Sequence, residues 1–109
     1  MKLDSVGIVI AVREFSLRDE GGKVTPVSVI LGMPQQFPDS SDYYAPYQIT
    51  GVGSEKIRYA GGIDAFQALQ GAMTLIGADL FALNEKCNHC LAWIGDELGD
   101  LGFPVPGKH

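Results

Sequence analysis

Gly61-Gly62-Ile63-Asp64-Ala65-Phe66-Gln67-Ala68-Leu69 decides how this chain is read. The glycine pair breaks a strand, since two residues without side chains have nothing to pack on a sheet. Asp64 and Gln67 then have the spacing of a capping box. The carboxylate can accept from the first free helical amides, the glutamine can reach back, and Ile63 stands where a hydrophobic staple would. A helix is expected to begin there. Downstream, Phe66, Leu69, Met73, Ile76, Leu80 and Leu83 recur at intervals of three and four, which marks one apolar face and carries the helix over about residues 64–86. That face is expected to cover a sheet. Gly77 falls on the stripe, where a missing side chain lets another backbone come close.

Upstream, the residues from Ser5 to Leu17 set Val6, Ile8, Ile10 and Val12 in alternation, the pattern of a strand covered on both faces. Arg18 to Gly22 supply turn residues. A second strand, Lys23 to Gly32, places Val27, Val29 and Leu31 on one face, and Pro26, which cannot donate to a ladder, puts its own part of that strand at an edge. Met33 to Asp42 has loop composition and a length at which loops often carry function. Tyr43 to Val52 reads as a third strand and Lys56 to Ala60 as a short fourth, after a turn at Gly53 to Glu55. The expected architecture is a single α+β domain, an antiparallel meander of about four strands over about residues 5–60 packed on one long helix. Over about residues 88–103, Leu91, Trp93, Leu98 and Leu101 punctuated by glycines predict a short C-terminal helical element, ended by Pro104 and Pro106.

The chain has 109 residues, 46% of them hydrophobic and 19% charged, with 8 Lys and Arg against 13 Asp and Glu and a net charge of −5. This is the composition of a folded soluble domain and excludes a large multi-domain enzyme. The acidic balance argues against nucleic acid or an anionic membrane as partner and favours a basic protein. Val6 to Val12 superficially suggest a signal peptide, but Asp4 precedes the run and Arg13-Glu14 follow it, with no small-residue cleavage site. No stretch is expected to reach the roughly 20 apolar residues of a membrane span. Two cysteines three residues apart fit a reducing compartment rather than a stapled secreted scaffold, so a cytoplasmic location is expected.

Cys87-Asn88-His89-Cys90 is the sharpest local pattern. Two thiolates at this spacing can hold half of a tetrahedral zinc site, yet two further ligands would be needed and His89 sits awkwardly between them. A redox pair is favoured at a helix N-terminus, where the dipole lowers a thiol pKa, whereas this motif falls at the predicted helix C-terminus. The plain alternative is a pair of small, partly buried cysteines, and neither a metal nor a cofactor is expected. No serine lies in a Gly-x-Ser-x-Gly elbow, and Gly51-Val52-Gly53 lacks the third glycine of a dinucleotide fingerprint. No catalytic residues are therefore assigned. Asp39, Asp42, Tyr43, Tyr44 and Tyr47 cluster where the long loop enters the third strand, with Tyr43 and Tyr47 on one face of it and Tyr44 on the other, so that at least one ring is expected in the core. Carboxylates beside tyrosines suit a protein partner, since the rings bury large area at low entropic cost. Asp96, Glu97 and Asp100 surround Leu98 and form a second acidic group.

Tyr47-Gln48-Ile49-Thr50-Gly51, Gly62-Ile63-Asp64-Ala65-Phe66-Gln67-Ala68-Leu69 and the helix through Ile76-Gly77-Ala78-Asp79-Leu80 resemble a family of small bacterial domains of unknown function over roughly Val6 to Leu83. The segment from Cys87 onward departs from that pattern. In size and charge the chain is similar to the immunity proteins of contact-dependent growth inhibition and other polymorphic toxin systems, which bind and block a toxin domain. By that analogy the expected function is non-enzymatic neutralisation of a basic toxin, such as a nuclease, through the acidic tyrosine surface. A small zinc-binding or redox domain using Cys87 and Cys90 stands as the alternative. A homo-oligomer formed through the Pro26 edge or exposed aromatics is a third.

Overall fold

The computed structural model describes residues 1–93 and 100–106. In chain order its elements are β1 (Val9–Arg18), β2 (Val24–Gly32), β3 (Gln35–Gln36), β4 (Tyr43–Thr50), β5 (Ile57–Gly62), α1 (Ala65–Lys86) and β6 (Leu91–Trp93). The fold is α+β, an antiparallel sheet packed on one helix. β1, β2, β4 and β5 follow one another as neighbours, the expected meander. The sheet has six strands rather than four. β3 pairs with Tyr43 and Tyr44 while β5 pairs with the same two residues, so β3 and β5 lie on opposite edges of β4, and β3 continues the edge that β2 occupies further along. Pro26 faces Ser16 of β1, and β4 joins the other side of β2 only from Ser28 on, so the proline sits where that edge is free.

β6 replaces the helix expected near the C-terminus. Asn88 and His89 both adopt positive φ, 59° and 61°, which reverses the chain immediately after α1. Asn84 Oδ1 accepts from the Leu91 amide at 3.0 Å and Cys90 O accepts from the Arg18 amide at 3.0 Å. The returning chain is thereby laid against β1, pairing Phe15 with Trp93 and Leu17 with Leu91. Residues 94–99 of the expected element lie outside the described residues.

Directly paired residues share a sheet face, so the register defines the core. Phe15, Val27, Val29, Leu31, Ala45, Tyr47 and Ala60 point to α1 and are buried there with Ala68, Ala72, Ile76 and Leu80. Among the described residues no helix lies on the opposite face. β1 is therefore not covered on both faces as its sequence suggested: Val12 is 54% exposed. The chain N-terminus crosses only part of this open face, where Val6 is buried and its carbonyl oxygen abuts Gly32.

α1 begins at the predicted cap. Gln67 N donates to Asp64 Oδ1 at 2.8 Å, and Gln67 Oε1 accepts at 2.7 Å from the amide of Ile63, one residue ahead of the cap itself. The staple does not form, because Ile63 is 72% exposed. The buried face matches the predicted one only in part: Ile76 and Leu80 are buried, and Leu69 and Leu83 pack half-buried against the core. Phe66 is 79% exposed and Met73 is also exposed, while Ala68, Ala72, Ile76, Gly77 and Leu80 face inward. Close approach explains the rotation. A Cβ on Gly62 would run into the Ala68 and Gln67 backbone, and one on Gly71 would lie 3.1 Å from the Ala60 Cβ. Toward its start the helix presents small residues where it touches the sheet and turns Phe66 aside, while Ile76 and Leu80 are buried further along. With 22 residues and a mean hydropathy of 1.2 in its most apolar window, α1 does reach the length and composition of a membrane span, contrary to the expectation, and its buried residues lie against the sheet.

Gly77 meets the expectation made of it, because the backbone of Pro104 lies against its Cα and a Cβ there would collide with the Pro104 carbonyl. Gly77→Ala should therefore lower stability by about 1–3 kcal/mol, although alanine alone would favour the helix by about 1 kcal/mol. Urea denaturation reads the result, and an unchanged or higher midpoint would contradict this packing.

Candidate functional site

Alternation along β4 divides the predicted acidic tyrosine cluster. Asp39 and Asp42 are exposed on the turn between β3 and β4. That turn is fixed by Phe37 N donating to Asp42 O at 3.0 Å and Asp42 N donating to Ser40 Oγ at 2.9 Å. Tyr44 lies on the open face, its ring centroid 5.1 Å from Phe37 and 5.9 Å from Tyr59. Phe37 and Tyr59 close the triangle at 5.9 Å. Tyr43 and Tyr47 point the other way, towards α1, and Tyr47 is only 1% exposed. The structure thus joins Asp39, Asp42 and Tyr44 at one end of the open face but does not bring Tyr43 or Tyr47 to it. Two rings that sequence reasoning missed take their place. Gly61 is the signal for Phe37: a Cβ there would touch that ring at 3.6 Å, so the glycine makes the seat. In the second acidic group, Asp96 and Glu97 lie outside the described residues. Asp100 is exposed and its Oδ1 accepts from Gly102 N at 2.7 Å.

Tyr47 instead anchors a polar tie beneath the helix. Its hydroxyl donates to Asp79 Oδ2 at 2.7 Å, and Arg58 on β5 donates to both Asp79 oxygens at 2.7 Å. Burial first, then the Asp79 carboxylate, pushes the Tyr47 phenol well above the ordinary tyrosine range, against a smaller opposing effect of Arg58. The phenol is held as a neutral donor, unsuited to act as a base. Beside it a pocket of about 410 Å³ opens between Ile49, Val52, Lys56 and Leu83. Asp79 was legible only as a lone carboxylate next to Leu80 on an apolar stripe.

Cys87 caps the C-terminal end of α1 and is joined to Cys90 in a disulfide, with the two Cα atoms 5.5 Å apart. Both cysteines are half-buried, as the plain alternative had them, and they are paired with each other, a bond the sequence reading did not assign. The sulfurs are bonded to each other rather than held open for an ion. Among the described residues no group of three His, Cys, Asp or Glu side chains converges as a metal site. The motif does lie at the helix C-terminus, as its position in the sequence indicated. It borders a solvent-open depression of about 620 Å³ whose lining includes Arg18, Glu20, Lys86 and His89.

Residues 11–105 match the family described as Domain of unknown function (DUF6968), and the chain belongs to that family. The match extends through the segment after Cys87 that the sequence reading had set apart. No curated protein and no solved structure matches the chain.

Tyr47 yields a pH-dependent test. The folded state holds the phenol proton more tightly than the unfolded chain does. Its contribution to stability is therefore whole below the unfolded tyrosine value of about 10 and is lost as the pH rises toward the higher folded value. Tyr47→Phe should cost about 1–2 kcal/mol near neutrality, through the lost hydrogen bond to Asp79, and should flatten the loss of stability above about pH 10. Denaturant titrations on both sides of that pH check it; an equally steep alkaline loss in the variant would refute it.

Proposed function

We propose that this member of the DUF6968 family is a non-enzymatic binding protein, and that it meets a basic protein partner through the sheet face that α1 leaves open. The observation that carries this reading is the one-sided cover of the sheet. On the open side exposed Val12 and half-buried Ile30 stand side by side, half-buried Gln48 separates them from half-buried Ile57, and the rings of Tyr59 and Phe37 lie at one end. Apolar side chains gathered on an uncovered sheet face suit an interaction site, and half-exposed aromatic rings are the usual anchors of such sites. Glu14, Asp39 and Asp42 are exposed carboxylates at its margins in a chain of net charge −5. A basic partner is steered in by that charge, whereas a second copy of the chain would meet the same carboxylates as like charges.

In the narrower form of this reading the partner is a toxin domain and the chain its immunity protein. Small size and acidity support that form, and both are equally at home in other binders of basic proteins.

The test begins with capture from lysate of the source cell by wild-type protein and by Val12→Glu, followed by kinetics with the purified partner. A basic protein that binds the wild type and is lost with Val12→Glu supports the proposal; equal retention by both overturns it. Asp39→Lys combined with Asp42→Lys should slow association by about tenfold at low salt and reduce its salt dependence, with dissociation little changed. An unaltered association rate would remove the acidic margin from the interface.

A further inference from the structure

The geometry points to Cys87 and Cys90 as a thiol–disulfide exchange site that reacts with a dithiol and whose state decides whether β6 lies on β1. It uses different residues from the open sheet face and stands or falls separately. Three observations converge on it. Both cysteines are half-buried at the wall of the open depression that Arg18, Lys86 and His89 also line, so a thiolate from solution can reach the sulfurs. Between them, Asn88 and His89 hold φ of 59° and 61°, a conformation that side chains disfavour and that surrounding structure must impose. Beyond them, the three residues Leu91–Trp93 of β6 stand at the short end of strand lengths, so the turn that feeds them bears on whether they stay paired with β1. The disulfide closes the strained turn through which the chain enters β6.

Exchange proceeds in two displacements. A thiolate of the dithiol attacks one sulfur, the S–S bond breaks, and the other cysteine leaves as a thiolate and takes up a proton. The second thiol of the reagent then attacks the mixed disulfide, releasing the remaining cysteine as a thiol and the reagent as a cyclic disulfide. Two electrons and two protons pass to the protein. Cys87 Sγ lies 3.7 Å from the Asn84 carbonyl oxygen at the C-terminal end of α1, where negative charge is opposed by the helix dipole. Cys90 is therefore the sulfur that leaves, and the mixed disulfide forms on Cys87. The same placement makes the pair a poor nucleophile, which suits a latch rather than a turnover catalyst.

Trp93 is the only tryptophan in the chain and lies in β6, so its fluorescence reports the latch. The full chain is oxidised in air and divided, one half is treated with dithiothreitol, and both are alkylated, weighed and followed by amide exchange. The oxidised half should take up no alkyl group and the reduced half two. On reduction, exchange at Leu91 and Trp93 should accelerate by about tenfold or more, and Trp93 emission should move to the red. Protection at Val29 and Ile76 should persist. Cys87→Ser combined with Cys90→Ser should show the loosened β6 without reductant. Free thiols in the oxidised sample, a disulfide untouched by dithiothreitol, β6 protection that survives reduction, or loss of protection throughout the sheet would each overturn the proposal.

Discussion

α1 rests on β4 and β5 because small residues meet where it lands, and most of the remaining structure follows from that close approach. The helix runs back along β5, so that Gly62, Ala60 and Arg58 meet Ala68, Gly71 and Asp79 in turn. At each of the first two steps one partner is a glycine, so no more than a methyl group stands between the backbones. At the third, Arg58 is long enough to span to Asp79. The inward residues of the helix, Ala68, Ala72, Ile76 and Leu80, are small at the start and large further on. The helix therefore touches the sheet closely at one end and stands off at the other. Tyr47 is among the largest fully buried side chains, and it lies toward the wider end. A phenol placed there needs a partner for its hydroxyl, and Asp79 supplies one while Arg58 offsets the carboxylate charge.

The sequence showed clearly the features that repeat or that act locally. Alternation in β2 and β4 located strands and faces, and Asp64 with Gln67 located the start of α1. Strands of two and three residues, β3 and β6, are too short to display a period. The buried face of α1 was read correctly at Ile76 and Leu80 and misread toward its start, because apolar character was weighed and size was not: Phe66 and Met73 are more hydrophobic than Ala68 and Ala72, but only the alanines fit against Gly62 and Ala60. Alternation likewise separated Tyr44 from Tyr43 and Tyr47. Grouping all three by proximity in sequence hid the real neighbours of Tyr44, which arrive from a loop and from the next strand. Cys-x-x-Cys spacing serves zinc, redox chemistry or neither equally well. The spacing alone does not show the left-handed turn at Asn88 and His89 across which the two sulfurs meet.

β1 is where the cover given by α1 runs out, since the helix makes its main contacts with β4 and β5. On the helix side of β1, the missing cover comes from the chain after β6. Phe103 packs near Phe15 with ring centroids 6.5 Å apart, and Arg13 donates to Gly102 O at 2.9 Å. The Arg13 guanidinium also lies 4.1 Å from the centroid of the Trp93 ring and 5.0 Å from that of Phe103. An arginine between two aromatic rings gains from cation–π attraction and keeps its polar atoms satisfied, so it can stand in a position where a core residue would otherwise be required. The residues that provide this cover follow the turn at Cys87 and Cys90 in sequence, and β6 is the element that brings them to β1. Burial of the helix side of β1 thus depends on a short strand and its entry turn rather than on a regular element of its own. Its opposite side, at Val12, is open to solvent. A strand covered in this way depends on what lies against each of its two faces more than on the helix that covers β4 and β5.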